Sequence, residues 1–145
     1  MKRRLKIIGI GLLIIVSILF WGSWLLNLFG ITKYEPPTSQ SPDSIIQVDF
    51  LEAESDGFRV LHTLPAEEIP PFLEAFFNLN ARRYANDPPT DFWGHTLRIC
   101  YSDGGFDLLG TIVAFYSASG ERLPTNGWYY LDAGDLDELF ENYIP

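Results

Sequence analysis

The sequence predicts an α+β protein made of one N-terminal transmembrane helix and a small domain of order ββαβββα. An uncharged, almost wholly apolar run covers residues 7–31, and two Asp-Gly turn signals, at 55–57 and 102–105, each separate two strand-like segments. Between these two hairpins, residues 65–85 show a helical spacing of apolar residues. Because short turns join consecutive strands, we expect an antiparallel sheet of about five strands with a helix packed on one face.

The first hairpin is predicted from alternation and from its turn. In the segment Ile45–Glu54, apolar side chains alternate as in a half-buried strand, and Phe58–Leu64 is the returning strand. Asp56-Gly57 lies between them, and this dipeptide supplies the positive φ that tight hairpins need.

The segment Pro65–Ala85 changes to a spacing of three and four residues between apolar side chains, which predicts an amphipathic helix. Pro70 and Pro71 suit its first turn, where missing amide donors cost little. The polar, proline-containing stretch at 86–90 is expected to end it.

The second half of the domain contains three further predicted strands, separated by the turn at 102–105 and the polar segment 117–127: Phe92–Tyr101, Phe106–Tyr116 and Trp128–Leu131. A last helix, capped by Asp132 or Asp135, is expected to continue to about Tyr143, because its apolar residues fall on one face.

The N-terminal segments predict a membrane anchor. A basic tail at 1–6 precedes the apolar run 7–31, which is long enough to cross a hydrocarbon core of about 30 Å. The positive-inside rule keeps the tail cytoplasmic and sends the Pro/Ser linker 32–44 and the domain 45–145 across the cell membrane. The alternative is a cleaved signal peptide, although the run is longer than usual for one and lacks a small-residue cleavage site.

Charge is segregated along the chain. From Tyr34 onward, five Arg oppose nineteen acids, so this part carries a net charge of −14. Such a domain repels nucleic acid and anionic lipid, and solubility or a preference for cationic partners explains its acidity. Cys100 is the only cysteine, so no intrachain disulfide forms, and its apolar strand predicts a buried structural thiol.

Catalytic and metal-binding motifs are absent from the sequence. His62 and His95 are the only histidines, and neither has the spacing of a zinc site or of a nucleophile with its base. We therefore expect no enzyme, no metal and no cofactor. The alternative is a small hydrolase that brings His62 and His95 into one cleft with nearby acids.

Aromatic residues are numerous for a small domain, and strand alternation puts about half of them on the face of the sheet away from the first helix. If the last helix leaves that face open, Trp93, Tyr116, Trp128 and Tyr130 form a surface for a protein or glycan partner. If the last helix covers the face, these side chains belong to the core.

Several short segments carry a resemblance to known proteins: Phe58–Leu61, Phe72-Leu73, Tyr84 with Asp87-Pro88, Gly94–Ile99, Tyr101–Gly104 and Trp128–Asp132. In these segments the chain resembles a class of short, uncharacterised membrane-anchored bacterial proteins with a small α+β extracytoplasmic domain. The resemblance implies a bacterial, surface-exposed, non-catalytic domain and assigns no role to any single residue.

Together these observations predict a single-pass membrane protein whose extracytoplasmic domain is a non-catalytic binding or interaction module. The alternative within the same topology is an accessory subunit, whose span docks onto a larger membrane complex.

Overall fold

The computed structural model describes residues 11, 13–22, 24–25, 34–84, 91–125 and 127–144. In this part of the chain the protein is α+β, as the sequence predicts, with a six-stranded antiparallel sheet and a separate two-stranded ribbon. The strands are β1 Ile45–Glu54, β2 Gly57–Thr63, β3 Ala81–Arg83, β4 Gly94–Tyr101, β5 Phe106–Leu109, β6 Val113–Tyr116, β7 Arg122–Leu123 and β8 Tyr129–Leu131. The helices of the domain are α1 Ile69–Phe77 and α2 Ala133–Tyr143, and short 3-10 turns cover Pro42–Ser44 and Ala66–Glu68.

The sheet has the strand order β2-β1-β4-β5-β6-β7, and β3 pairs with β8 in the ribbon. Both predicted hairpins are present, with β1 antiparallel to β2 around Ser55-Asp56 and β4 antiparallel to β5 around 102–105. Gly57 takes φ +148°, which a residue with a side chain rarely adopts. Local turn chemistry therefore determines both hairpins.

The prediction of about five strands in the order ββαβββα was wrong in its details. The predicted helix at 65–85 ends at Phe77, because Asn78 caps it and Ala81 pairs with Leu131 in the ribbon. The predicted strand Phe106–Tyr116 is split into β5 and β6, because the backbone N–H of Gly110 donates to the C=O of Ile112 and reverses the chain. Residues 85–90, which include the predicted end of that helix, lie outside the described residues.

Both helices pack on the same face of the sheet. Phe50 of β1 lies at the centre, with its ring 5.8 Å from Phe72 of α1 and 4.8 Å from Phe140 of α2. The ring of Tyr143 contacts both Phe50 and Phe72, so α1 and α2 share one core. The α2 helix begins after Asp132, whose carboxylate accepts the N–H of Gly134 at 3.1 Å. The opposite face of the sheet, called here the far face, is therefore left without a helix among the described residues.

The linker packs on the domain, whereas its composition predicts a solvated spacer. Tyr34 pairs with Ala81 through two backbone hydrogen bonds of 2.8 Å, and Pro36 is buried. Ser39 donates its N–H at 2.7 Å and its hydroxyl at 2.5 Å to the carboxylate of Asp107, which is fully buried. A buried carboxylate needs such donors, and the linker supplies them from a distant part of the sequence.

The described residues 11, 13–22, 24 and 25 are helical, and the remaining residues of the predicted span 7–31 lie outside the described part. Their large apolar side chains are 42% to 73% exposed, from Leu25 to Phe20. Within the part of the chain that the structure describes, no helix combines the length and the apolar character required to cross a bilayer. The transmembrane helix thus stays a prediction from the sequence.

Candidate binding surface

The aromatic residues predicted to bind a partner are exposed or half-buried. Trp93 is 63% exposed and Trp128 is 42% exposed, while Tyr116 and Tyr130 are half-buried. Because α2 packs beside α1, neither helix covers the far face, although Thr96, Leu108 and Ala114, which point there from β4, β5 and β6, are nonetheless buried.

Arg122 connects two of these aromatic residues. It lies directly opposite Tyr116 in the β6–β7 pair, so both side chains point to the far face. The guanidinium carbon of Arg122 is 5.2 Å from the centroid of the Trp128 ring, the geometry of a cation–π contact. On its other side, Tyr116 stacks on Phe106 with centroids 4.8 Å apart. The sequence places Arg122 in a polar turn, where nothing distinguishes it from a solvated charge.

Tyr84 and Thr111 connect the other two predicted aromatic residues, Trp93 and Tyr130, to the same region. The Tyr84 hydroxyl donates to the C=O of Thr111 at 2.6 Å, and the Trp93 N–H donates to the Thr111 hydroxyl at 3.4 Å. The Tyr84 ring lies 4.6 Å from Tyr130, and the Tyr84 N–H donates to the C=O of Trp128. Partial burial, with the neighbouring Tyr130, raises the pKa of Tyr84, so its hydroxyl stays a donor at neutral pH.

We call Trp93, Tyr116, Trp128 and Tyr130, with Arg122, the aromatic surface. A cleft of about 440 Å³ adjoins it, and its lining includes Phe58, Phe92, Tyr116 and Arg122 together with two acids. The rings of Phe58 and Phe92 are 5.5 Å apart and form one wall. Glu54 and Asp91 supply the carboxylates.

A larger cleft, of about 590 Å³, lies between the linker and strands β6 to β8. Its aromatic walls are Tyr34, Phe115 and Tyr129, and the rings of Tyr34 and Tyr129 meet edge to face at 5.6 Å. The linker residues Pro37, Thr38 and Ser39 complete it. This cleft therefore exists only while the linker stays bound to the domain.

Beside this cleft, Asp107 is held by donors from two segments. The Tyr101 hydroxyl donates to the same carboxylate as Ser39. Burial raises the pKa of Asp107 and, together with the hydrogen bond to Asp107, raises the pKa of Tyr101. Since this carboxylate is fully buried and accepts hydrogen bonds from Ser39 and Tyr101, the arrangement fastens the linker to the domain.

The two histidines do not meet. The Nδ1–H of His95 donates to the Asp137 carboxylate at 2.7 Å and its ring stacks on Phe140, while the ring of His62 lies 6.2 Å from Phe50. They sit on β4 and β2, on either side of β1, which separates their Cα atoms by roughly 12 Å from standard strand spacings. The Phe50–Phe140 pair lies between them, so the single cleft that the hydrolase alternative requires is not formed by these residues.

The remaining candidates for chemistry are the Cys100 thiol and clusters of side chains that could bind a metal. Burial raises the pKa of the Cys100 thiol, which favours the unreactive protonated form. Among the residues that the structure describes, no group of three or more His, Cys, Asp or Glu side chains is placed to hold a metal ion.

Comparison with known proteins adds no assignment: no family model, no curated protein and no solved structure matches this chain. The resemblance to membrane-anchored bacterial proteins rests on the sequence segments alone.

Proposed function

We propose that the chain is a single-pass protein of the cell membrane whose domain of residues 45–145 lies outside the cytoplasm and binds a protein or glycan partner through the aromatic surface. The domain acts by binding and carries out no catalytic step. Its N-terminus is cytoplasmic, and its span lies within residues 7–31.

The anchor is supported by charge and by exposure. The only lysines of the chain precede Tyr34, at Lys2, Lys6 and Lys33, and two further cations lie in the basic tail. The described helical residues between 11 and 25 expose their apolar side chains, and such an apolar surface is unfavourable in water. The Ser17 hydroxyl donates to the C=O of Leu13 at 2.8 Å, which satisfies the polar group within the helix.

The single observation that carries the binding role is the exposure of Trp93 and Trp128, with Trp128 in contact with Arg122, which lines the acid-containing cleft. Tryptophan, tyrosine and arginine are the residue types enriched at binding hot spots. Leaving two tryptophan rings in water has no benefit for folding, because burial of such a ring is among the larger favourable contributions a domain makes.

Site-specific photocrosslinking in the native membrane tests the binding role. Benzoylphenylalanine replaces Trp93 or Trp128 in the full chain, and the matched control places it at Glu141, which is exposed on α2. We expect a discrete adduct from the two aromatic positions and none from position 141. Mass spectrometry of the adduct then distinguishes a protein partner from a glycan.

Two results would contradict the binding role. Adducts of equal yield at all three positions would indicate nonspecific collisions, and no adduct at positions 93 and 128 would remove the aromatic surface as a binding site. Neither result bears on the anchor, which fractionation of the membrane tests separately.

A further inference from the structure

The two edges of the six-stranded sheet differ. At one edge, β7 has only two residues and is followed directly by Pro124, so it offers almost no backbone for pairing. At the other edge, β2 has seven residues and no proline, and no described strand pairs with its outer side. Long edge strands of this kind accept an added strand unless something blocks them.

The register of the first hairpin determines which backbone groups of β2 face outward. Glu54 and Gly57 close the two-residue loop and form the hydrogen-bonded pair. Pairing alternates along an antiparallel ladder, so Phe58 and Val60 turn their N–H and C=O groups away from β1. The register shift between Phe50 and Leu51 is a β-bulge that ends this regular stretch after Val60.

The side chains along this edge leave it open. Phe58 is 39% exposed and Val60 is 48% exposed. Charged side chains often protect an edge strand, but Arg59 is turned back onto β1, where it pairs with Glu54 at 2.9 Å and with Glu52. These three residues together carry a charge of −1.

The charge around β2 indicates the partner. Exposed acids flank both ends of the strand, Asp56 before it and Glu67 and Glu68 after it. From Tyr34 onward the chain carries a net charge of −14, so a second copy brought to this edge would be repelled, whereas a basic segment would be attracted.

We propose that the outer edge of β2 binds an extended, basic segment of a partner protein, which adds to the sheet as a seventh strand. Backbone hydrogen bonds to Phe58 and Val60 hold the added strand. Apolar side chains of the partner lie beside Phe58 and Val60, and its basic side chains alternate with them next to the Glu52–Arg59–Glu54 group. This inference goes beyond the aromatic surface: Phe58 also lines the adjoining cleft, but Val60 does not, so substitutions at Val60 test the edge separately.

Selection of peptides on the intact protein tests the proposal. The full chain in non-ionic detergent is immobilised, and a random decapeptide library is selected on it. We expect bound peptides in which Lys or Arg alternates with apolar residues and in which proline is depleted at the centre. Hydrogen exchange should then show slowed exchange at the amides of Phe58 and Val60 when a selected peptide is bound.

Two variants at one position separate backbone pairing from side-chain contact. Val60→Pro removes the outward N–H while leaving the ladder to β1 intact, and we expect it to weaken the selected peptides about tenfold. Val60→Thr keeps the donor and the branched shape, and we expect little change.

Several outcomes would overturn the proposal: selected peptides without basic enrichment, equal binding by Val60→Pro, or protection elsewhere than β2. Size measurement by light scattering gives one more. If the full chain is a dimer that Val60→Pro dissociates, the edge is occupied by a second copy and the proposal is wrong.

Discussion

Replacing Arg98 by alanine leaves the Asp49 carboxylate buried without its cation. Asp49 is fully buried, and Arg98, whose side chain is 34% exposed, reaches it with Nε at 2.8 Å and a terminal nitrogen at 2.7 Å. Thr63 donates to the same carboxylate at 2.6 Å and Gln47 at 2.9 Å, so it keeps two neutral donors after the substitution.

The magnitude follows from these contacts. Removing one partner of a buried ion pair costs roughly 3–5 kcal/mol, and the donors that remain reduce this, so we expect Arg98→Ala to lower the free energy of unfolding by about 3 kcal/mol. Arg59 provides the matched control, because it also joins a strand to acids of β1 but is 58% exposed. Exposed ion pairs are screened by solvent and contribute little, so Arg59→Ala should cost far less than Arg98→Ala.

Urea unfolding of the full chain in non-ionic detergent, followed by far-UV circular dichroism, measures both costs. A double-mutant cycle with Asp49→Asn isolates the charge, because asparagine keeps the shape and accepts from Thr63. In the Asn background we expect Arg98→Ala to cost only about 1 kcal/mol. Equal costs for Arg98→Ala and Arg59→Ala, or no reduction in the Asn background, would refute the assignment of Asp49 and Arg98 as a buried pair that stabilises the fold.

Four further substitutions test stability. The pKa of Tyr101 is raised in the folded state, so its contribution to stability is complete below the unfolded pKa of about 10 and is lost as pH rises above it. Tyr101→Phe should therefore flatten the decline of the urea midpoint between about pH 9 and 11. An unchanged slope would contradict this. Gly57→Ala should cost about 1–2 kcal/mol, because its φ of +148° strains any side chain. Gly134 lies in the first turn of α2 with no close contact and no positive φ, so Gly134→Ala should instead stabilise the protein by up to about 1 kcal/mol. If thermal unfolding gives stability changes of the same sign for both glycine substitutions, the backbone argument is contradicted. Ser39→Ala removes a hydrogen bond to buried Asp107 and should cost about 1–2 kcal/mol while speeding amide exchange in residues 34–40; unchanged exchange there would show that the linker is held otherwise.

The hairpins were predictable because their causes are local. Asp56-Gly57 and Gly104-Gly105 lie in the turns themselves, and strand alternation on either side needs no distant partner. The end of α1 was not predictable in this way, since Ala81 leaves the helical pattern to pair with Tyr34 and Leu131, which are far away in sequence. Tertiary pairing overrides a periodic pattern at such positions.

The packing of the linker on the domain could not be predicted from the sequence for the same reason. Its composition is that of a solvated spacer, and the residue that holds it, Asp107, is 68 positions away from Ser39. In the sequence Asp107 looks like an ordinary residue following a turn. Only the fold reveals that it is buried and therefore requires donors.

The aromatic surface was predictable only as a set of candidates. Alternation indicates that Tyr116 points away from the first helix, but the sequence does not determine which face α2 covers. The structure puts α2 beside α1, and it adds Arg122 and Tyr84 as the residues that link the aromatic side chains. Neither has a sequence signal, because their roles depend on contacts between segments.

Protease accessibility of the domain tests the central claim most directly. An epitope is fused after Pro145, and protease is added to osmotically stabilised spheroplasts and, in parallel, to inside-out membrane vesicles. We predict that the epitope is lost from spheroplasts, survives in inside-out vesicles, and sediments with carbonate-washed membranes before digestion. Survival in spheroplasts with loss from the vesicles, or recovery of the intact chain in the soluble fraction, would contradict an anchored domain that faces outward.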